Sequence, residues 1–371
     1  MQMIYLDYNS TTALAPEVLK KMNEIYVLPL NASATHAYGR KGGQLIEIAR
    51  KEVKNLVNGA NYEVIFTGSS TEATNTVFYG VDVETILFAK FEHSSVYNSR
   101  PKGVNIIEVE VLENGLIDIA DLEKKLNSLP NNKFLMSLML ANNESGAIQP
   151  VVEVSKMVHQ KGGLMHCDIV QAAGKIPVDL EALNVDFAVI SAHKIKGPQG
   201  VGALFMRKGL DVNPLIHGGK QEKSKRAGTS NVAGISGFGE ACKLARENLE
   251  KYEAVKVLRD YIEEKLEKIG GDKVMIFAKS VARLPNTSFV ALKNTDSQTQ
   301  LIHFDLNGIC VSAGAACTSG TVSGSRVLKA MNVSPNFATS AIRISLSPDN
   351  TRAEVEQFIK VWDEFYHNVS K

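Results

Sequence analysis

Short apolar runs alternate with segments of helical periodicity along much of the chain. The runs predicted to be strands are YEVIFT (62–67), TILFAK (85–90), KFLMSLML (133–140), GLMHCD (163–168), DFAVIS (186–191) and GALFMR (202–207). Strands that alternate with helices are typical of α/β folds. Several runs are apolar at consecutive positions, as expected of strands that helices cover on both faces of a mostly parallel sheet. The pattern therefore predicts an α/β fold around a buried, mostly parallel sheet.

Two segments carry a clear helical pattern. Between Gly39 and Gly59 the apolar residues recur at helical spacing, with Lys and Glu between them, which predicts an amphipathic helix packed on the core. From Ile235 to Ile269 a longer, highly charged helical stretch runs up to two glycines. Its length suits a connection between two lobes, so we expect a domain boundary inside it.

The last third of the chain repeats the α/β pattern on a smaller scale. Strands are predicted at 286–292, 309–313 and 341–347, and helices at 298–306, 323–331 and 351–369. The segment at about 311–325 is rich in Ser, Gly and Ala and is predicted to be a mobile loop. We expect a large domain at 13–250 and a small domain formed by 1–12 and 251–371, which carries this loop.

Composition and charge narrow the range of functions. A chain of 371 residues, 44% of them hydrophobic, can bury a large core, and two lobes are more typical of this length than one. The 41 basic and 40 acidic residues leave a net charge of +1, so no overall field attracts nucleic acid or an anionic membrane. The sequence contains neither an apolar run of roughly 20 residues nor the pattern of a secretory signal. We expect a cytoplasmic protein that binds neither nucleic acid directly nor membranes.

The four cysteines are spread along the chain without CxxC spacing. This arrangement argues against a zinc site and a disulfide framework, so we expect free thiols and no metal. Cys167, Cys242 and Cys310 lie in apolar strand or helix contexts, where a cysteine acts as a small buried hydrophobe. Cys317 lies in the Ser- and Gly-rich segment instead, where a thiol can reach a substrate and then an acceptor.

A candidate anion site follows the first predicted strand of the large domain. The strand YEVIFT runs into GSST (68–71) and then into a helical pattern, so the N–H groups of a small-residue turn point outward at a helix N-terminus. Gly68 allows close approach of the backbone, and the hydroxyls of Ser69, Ser70 and Thr71 can donate to phosphate oxygens. The same residues also fit an ordinary helix N-cap, and the motif alone does not separate the two interpretations.

Polar residues also follow two later strands. Asp168 ends the run GLMHCD, at the edge where ligands of open α/β sheets bind, and Gln171 comes three residues later. Ser191, His193 and Lys194 leave the end of DFAVIS together. A carboxylate that can hold a pyridinium nitrogen, a lysine that can form a Schiff base and a phosphate-binding turn are the groups that pyridoxal phosphate (PLP) requires.

Ten segments that span nearly the whole chain share one resemblance. They are YLDYNSTT (5–12), NASATH (31–36), FTGSSTEATN (66–75), EHSS (92–95), NNESGAIQP (142–150), HCDIVQAAGK (166–175), SAHKIKGPQGVG (191–202), RAGT (226–229), SAGAACTS (312–319) and SAIRISL (340–346). In this order they resemble the cysteine desulfurase family of fold-type I PLP enzymes, within the class V aminotransferase superfamily. The resemblance implies a large domain with its sheet between helices and a smaller C-terminal α/β domain.

The resemblance also implies which residues hold PLP. Lys194 would bind it covalently, His93 would stack on its ring and carry protons, and Asp168 would pair with the pyridine nitrogen. Gln171 would contact the ring oxygen, and Asn143 would lie against the cofactor. The residues implied for the phosphate are Ser70, Thr71, Ser191, His193 and, from a second subunit, Thr229. The last contact implies a homodimer.

Substrate and reaction follow from the same resemblance. Asn143 and Arg343 would bind the carboxylate of L-cysteine, and the planar fork of an arginine suits a carboxylate through two parallel hydrogen bonds. Cys317 would take the sulfur as a persulfide while L-alanine is released. The sulfur would then pass to a protein acceptor, either an iron–sulfur scaffold or a tRNA-thiolation protein.

Two other functions stay open at this point. One is a different PLP reaction on the same fold, as in a selenocysteine lyase or an aminotransferase, and an aminotransferase would not need Cys317. The other is a weakly active docking partner in a sulfur-relay complex. The full set of cofactor residues argues against the docking partner, since such a protein has little reason to keep them together.

Overall fold

The computed structural model of the protein describes residues 3–314 and 324–369. Its strands are β1 (Ile4–Tyr5), β2 (Tyr62–Thr67), β3 (Thr85–Ala89), β4 (Asn105–Val109), β5 (Phe134–Ser137), β6 (Leu164–Asp168), β7 (Phe187–Ser191), β8 (Gly202–Arg207), β9 (Val274–Ile276), β10 (Thr287–Leu292), β11 (Ile309–Cys310), β12 (Ser312–Ala313) and β13 (Ile342–Ser345). Its α-helices are α1 (Pro16–Tyr26), α2 (Ala37–Leu56), α3 (Ser70–Gly80), α4 (Ser94–Tyr97), α5 (Ile119–Asn127), α6 (Val151–Gln160), α7 (Leu180–Leu183), α8 (Val232–Glu247), α9 (Leu249–Gly270), α10 (Ser297–Leu306), α11 (Arg326–Ala330), α12 (Pro335–Ala338) and α13 (Arg352–Val369). Each strand predicted from the sequence overlaps one of these strands, and the run at 309–313 divides into two.

The large sheet has its strands in the order β2-β8-β7-β6-β5-β3-β4. Neighbouring strands from β7 to β4 run parallel, whereas β8 is antiparallel to both β7 and β2. Leu87 of β3 belongs to one apolar cluster and its neighbours Ile86 and Phe88 to another, because the sheet is covered on both faces. The predicted α/β fold with a mostly parallel, buried sheet is confirmed. The edge strand β4, which is only half-buried, lies outside the predicted runs.

A smaller antiparallel sheet contains β12, β13, β10 and β9 in that order. The N-terminal strand β1 pairs in parallel with β11, so the residues that follow β1 run beside this sheet. Ile344 of the sheet shares an apolar cluster with Phe304 of α10 and with Phe358 and Trp362 of α13. This cluster is distinct from the two clusters of the large sheet, although Phe289 and Ala291 of β10 belong to one of those two.

The helical stretch expected at 235–269 consists of two helices. Between α8 and α9, Asn248 has backbone angles of φ −111° and ψ 12°, which interrupt the helix. Its side-chain amide donates to the carbonyl of Leu244 at 2.7 Å, which satisfies one of the last acceptors of α8. α8 packs against α1 and α2, whereas α9 packs against α13. This change of packing partner supports the domain boundary expected here, and the domain bounds themselves stay a prediction.

Three observations on the described residues bear on the functional class. None of the helices within 3–314 and 324–369 has both the length and the apolar composition needed to cross a bilayer. Across the same ranges, no group of three or more His, Cys, Asp or Glu side chains is arranged to bind a metal ion. Cys167 and Cys242 are buried free thiols as expected, but Cys310 is only half-buried. Cys317 lies outside the described residues.

Candidate active site

The carboxyl ends of β6 and β7 border a cavity of about 240 Å³. The predicted site residues that line it are Ser70, Thr71, His93, Asn143, Asp168, Gln171, Ser191, His193, Lys194 and Arg343. The remaining lining residues are Asn9, Ser10, Ser69, Met139, Ala141 and Val170. The N-terminal segment, the ends of the large-sheet strands and a strand of the small sheet therefore meet at one place.

Two predicted site residues are not among the lining residues. Thr229 is exposed to solvent, and its contact with a second subunit stays a prediction. Cys317 lies outside the described residues.

The described residues on either side of Cys317 lie close to Glu144. Ser325 donates to Oε2 of Glu144 at 2.5 Å, and a Cβ atom at Gly314 would lie 2.6 Å from the same oxygen. Burial raises the pKa of Glu144 to about 7.

The serine-rich turn between β2 and α3 forms one end of the cavity. Ser69 is the N-cap of α3, and its hydroxyl accepts from the backbone N–H of Glu72 at 3.1 Å. The hydroxyl of Ser191 accepts from the backbone N–H of Ser70 at 3.1 Å and lies 3.2 Å from its hydroxyl. A Cβ atom at Gly202 would lie 2.6 Å from the carbonyl carbon of Ser69, so β8 can approach the turn only with glycine there. The turn is thus a helix cap whose hydroxyls and N–H groups also suit an anion.

Two buried carboxyl groups lie near the end of β6. Oδ1 of Asp168 accepts from the backbone N–H of Val170 at 2.8 Å. Burial raises the pKa of Asp168 to about 6, although this hydrogen bond and the charge of Lys194 act in the opposite direction. Glu92 accepts from the backbone N–H of Met139 at 2.6 Å, and burial followed by the charge of Asp168 raises the pKa of Glu92 to about 8. Burial therefore raises the pKa of both carboxyl groups, and Glu92 is the more readily protonated of the two.

Lys194 ends a single 3₁₀ turn directly after β7. Its Nζ donates to the main-chain carbonyls of Asn9 at 2.7 Å and Ser10 at 2.5 Å. Both acceptors belong to the segment that follows β1, so the pairing of β1 with β11 determines where they lie. The lysine amine is therefore held at the cavity wall by neutral carbonyl groups.

His93 precedes α4 and accepts at its ring nitrogen Nδ1 from the backbone N–H of Ser95 at 3.1 Å. Burial, followed by the charges of Lys194 and Arg326, lowers the pKa of His93 to about 4. The imidazole is therefore neutral at pH 7. Nδ1 also lies 2.8 Å from the hydroxyl of Ser95. Acceptance of the backbone N–H at Nδ1 favours the tautomer with its proton on Nε2.

Arg343 brings a guanidinium from β13 to the cavity. Nη2 donates to Oδ1 of Asp7 at 2.7 Å, and Nη1 donates to the main-chain carbonyl of Asn143 at 3.1 Å. Its Nε is buried and has no hydrogen-bond partner among the described residues. A buried donor without a partner is unusual in a folded protein, and here it belongs to a cation at the edge of a cavity. This combination suits a carboxylate ligand.

The N-terminal segment holds two further predicted residues. Nδ1 of His193 lies 3.1 Å from the hydroxyl of Thr11, and burial followed by the charge of Lys194 lowers the pKa of His193 to about 4. Nε2 of Gln171 donates to the main-chain carbonyl of Asn9 at 3.0 Å. The segment after β1 therefore forms one wall of the site.

Several residues that line the cavity or lie next to it were not predicted from the sequence to be site residues. Asn9 and Ser10 lie in a run of small polar residues after β1, and this run was the signal that could have found them. Glu92 precedes His93 in EHSS, and a carboxyl group beside a buried strand could have marked it. Met139 carries no such signal, because an apolar residue that lines a cavity looks like any core residue.

Comparison with known sequences yields one family over nearly the whole chain. The sequence profile of the family Aminotransferase class-V matches residues 4–358. A protein of Cereibacter sphaeroides named "Cysteine desulfurase" is 38% identical over 374 residues, which cover 97% of this chain and 95% of the relative. A protein of Dictyoglomus turgidum named "Cysteine desulfurase IscS" is also 38% identical, over 96% of this chain and 93% of the relative.

Solved structures give the same result for the fold. The structure of a NifS-like protein from Rickettsia africae superimposes with a TM-score of 0.91 at 39% sequence identity, covering 99% of this chain and all of the other. The apo structure of a cysteine desulfurase from Thermococcus onnurineus superimposes with a TM-score of 0.84 over 99% of this chain and 95% of the other. Its sequence identity is 22%, so it bears on the fold alone.

Proposed function

Because the chain belongs to the class V aminotransferases and, within them, to the cysteine desulfurases, we propose that it removes sulfur from L-cysteine with PLP as its cofactor. L-Alanine is the other product. The observation that carries this proposal is that Lys194, Asp168 and Arg343 line one cavity. An amine, a buried carboxylate and a guanidinium in one place are the groups needed to bind this cofactor together with an amino acid.

The chemistry of the cavity residues fits PLP. The hydroxyls of Ser70 and Ser191, beside the N-terminus of α3, suit its phosphate. The buried carboxylate of Asp168 suits a protonated ring nitrogen, and the amine of Lys194 suits its aldehyde. Arg343 and Asn143 are left for the carboxylate of the substrate.

Each of these residues then has a separate role in the reaction. When bound, PLP stabilises the negative charge that develops when the substrate carbon loses its proton. Nζ of Lys194 would accept that proton, and His93, which accepts from the Ser95 backbone at Nδ1, would hold a proton on Nε2. The guanidinium of Arg343 orients the substrate carboxylate and thereby fixes which bond is positioned for reaction.

Transfer of the sulfur requires a nucleophile, and we assign this role to Cys317 on the strength of the sequence. Its thiolate attacks the substrate sulfur, so a sulfur–sulfur bond forms while the carbon–sulfur bond breaks. The electron pair of the broken bond stays with the substrate carbon, which takes up a proton and becomes the methyl group of alanine. The enzyme is left as a persulfide, and no external oxidant is needed.

The proposal extends to assembly and partners. The protein acts in the cytoplasm as a homodimer, in which Thr229 of each subunit contacts the phosphate in the other. The exposure of Thr229 supports this arrangement. The persulfide sulfur passes to a protein acceptor, either an iron–sulfur scaffold or a tRNA-thiolation protein.

The experiment that tests the proposed function starts from purified protein loaded with PLP. L-Cysteine is added together with a thiol reductant, and alanine and sulfide are measured over time. We expect visible absorbance from bound PLP and equal amounts of the two products. Cys317→Ala should retain the absorbance and lose alanine formation from cysteine, because it removes the proposed nucleophile and none of the residues assigned to the cofactor.

Each alternative gives a different result in this experiment. An aminotransferase would keep its activity in Cys317→Ala and would transfer an amino group to a keto acid. A selenocysteine lyase would turn over selenocysteine and leave cysteine unchanged, and a docking partner would release alanine only slowly. A wild-type protein that stays colourless after incubation with PLP would refute the proposed function.

A further inference from the structure

Lys175 is a buried lysine that the proposed reaction does not use. Its side chain is 2% exposed, and Nζ donates to Oδ1 of Asn9 and to Oε1 of Gln171, each at 2.7 Å. Both acceptors are neutral amide oxygens, although buried lysines are ordinarily paired with a carboxylate. Burial, with the charges of Lys194 and Arg343, lowers the pKa of Lys175 well below its usual value. A lysine at this position therefore lowers the stability of the fold, and its hydrogen bonds indicate its function.

Lys175 determines how the amide of Gln171 is turned. Nζ of Lys175 donates to Oε1 of Gln171, so Gln171 presents its oxygen to Lys175 and its NH₂ group in the other direction. There, Nε2 donates to the main-chain carbonyl of Asn9 at 3.0 Å, and Gln171 lines the cavity. An NH₂ group has two N–H bonds, so the second can serve a ligand. If the amide turned over, its oxygen would face the ligand instead and repel an anionic group.

The same lysine orients Asn9. Oδ1 of Asn9 accepts from Lys175 and, at 3.2 Å, from Nδ2 of Asn286. Nδ2 of Asn9 donates to the hydroxyl of Thr287 at 2.9 Å, at the start of β10. The main-chain carbonyl of Asn9 accepts from Nζ of Lys194 at 2.7 Å. Asn9 thus connects Lys175 and the small sheet to the lysine at the cavity wall.

We propose that Lys175 is a positioning residue, which turns the Gln171 amide so that its NH₂ group donates to the ring oxygen of bound PLP. Through Asn9 it also holds the carbonyl that Lys194 contacts. Lys175 is not among the residues that line the cavity, so it acts only through these neighbours. The inference rests on the proposed function, because the ring oxygen belongs to the cofactor.

The test compares Lys175→Met, which keeps the side chain long but removes its donors, with Gln171→Leu and the double variant. Each apo-protein is titrated with PLP, and the absorbance of bound PLP is then followed against pH. We expect Lys175→Met to weaken PLP binding about ten-fold, the effect of losing one buried hydrogen bond. It should also move the pH midpoint of the absorbance in the same direction as Gln171→Leu. In the double variant the effects should be less than additive, because the hydrogen bond from Gln171 to the ring oxygen can be lost only once.

A matched control separates positioning from general stability. Ile262→Ala, in the buried core beneath the small sheet, should lower the melting temperature and leave the absorbance midpoint unchanged. If Lys175→Met does not fold, Gln171→Glu provides the second test. Its carboxylate can pair with Lys175 and preserve folding, but it offers no NH₂ group, so PLP binding should weaken in a folded protein.

Three outcomes would overturn the inference. Lys175→Met could behave like Ile262→Ala, with lower stability and an unchanged absorbance midpoint. Its effect on the midpoint could add to that of Gln171→Leu, or Gln171→Glu could bind PLP as tightly as wild type. The wild-type protein tests the proposed function separately, since failure of wild type to bind PLP removes that function and the inference together. Wild-type binding with an unaffected Lys175→Met removes the inference alone.

Discussion

The buried Arg343 and the partly buried Asp7 form an ion pair, with Nη2 of the arginine 2.7 Å from Oδ1 of the aspartate and side chains only 5% and 15% exposed. The second oxygen of Asp7 accepts from the hydroxyl of Ser312 at 2.9 Å. The arginine proposed to bind the substrate is thus already held in place by an anion from the N-terminal segment. This pairing keeps a cation at the cavity without leaving its charge uncompensated.

We predict that Asp7→Ala lowers the free energy of unfolding by about 3 kcal/mol, because it leaves the Arg343 guanidinium buried without its counter-charge. Adding Arg343→Leu should recover part of the loss, since no buried charge then remains. Urea unfolding at pH 7 measures both effects. Glu364→Ala, which breaks the exposed pair with Lys360 on α13, is the control and should change stability far less. Equal losses from Asp7→Ala and Glu364→Ala would contradict the prediction.

Ser191→Ala should weaken PLP binding about ten-fold, because it removes the hydroxyl that accepts from the Ser70 backbone and orders the phosphate end of the cavity. Fluorescence titration of the apo-protein with PLP gives the dissociation constant. Ser155→Ala is a matched control. Ser155 lies on α6, is buried and is not among the residues that line the cavity, and its hydroxyl donates to the carbonyl of Asn184 at 2.6 Å. It should lower stability and leave PLP binding unchanged. The same loss of affinity in both variants would show that Ser191 acts only through stability.

The imidazole of His93 should remain neutral far below the usual histidine range, because burial and the charges of Lys194 and Arg326 lower its pKa to about 4. Nitrogen chemical shifts of the ligand-free protein, recorded from pH 8 down to pH 5, should show the proton on Nε2 throughout. Protonation of His93 with a midpoint near 6.5 would contradict this. In the loaded protein, His93→Gln should lower the rate of alanine formation by about a hundred-fold, which is typical of losing a proton-transfer group.

Glu92 should make stability fall as the pH rises. Burial, then the charge of Asp168, raises the pKa of Glu92 from 4.5 to about 8, so the folded protein keeps a proton that the unfolded chain releases. Between these two pKa values the folded state binds more protons, and its stability falls by at most about 1.4 kcal/mol per pH unit. Glu92→Gln removes this titration, so the variant should gain stability relative to wild type from pH 5 to pH 8. Urea unfolding at several pH values measures the difference, and parallel curves for the two proteins would refute the assignment.

Local patterns were sufficient for most of the fold. The bounds of β2, β8 and β10 lie within one residue of the predicted runs, because an apolar stretch of strand length can be buried in only a few ways. A related argument predicted that the site contains Asp168, Ser191 and Lys194. The carboxyl ends of parallel strands share one edge of a sheet, so polar residues that follow them converge.

Other features needed the tertiary structure. The break between α8 and α9 at Asn248 is invisible in a continuous helical pattern, because it depends on two helices that pack on different partners. The reversed direction of β8 is not encoded in its apolar run either, since direction depends on the connection before the strand. Cys317 lies outside the described residues, so its role stays a prediction.

By itself, the sequence determined the α/β class, the order of the strands along the chain and the strand ends that carry reactive side chains. Only the tertiary structure decided that Asn9 accepts from Lys175, 166 residues away, and that Asp7 pairs with Arg343, 336 residues away. It also decided which carboxyl groups have a raised pKa, because a pKa depends on burial and on neighbouring charges. Periodicity reports only the local surroundings of a residue, whereas these contacts arise from how distant segments pack together.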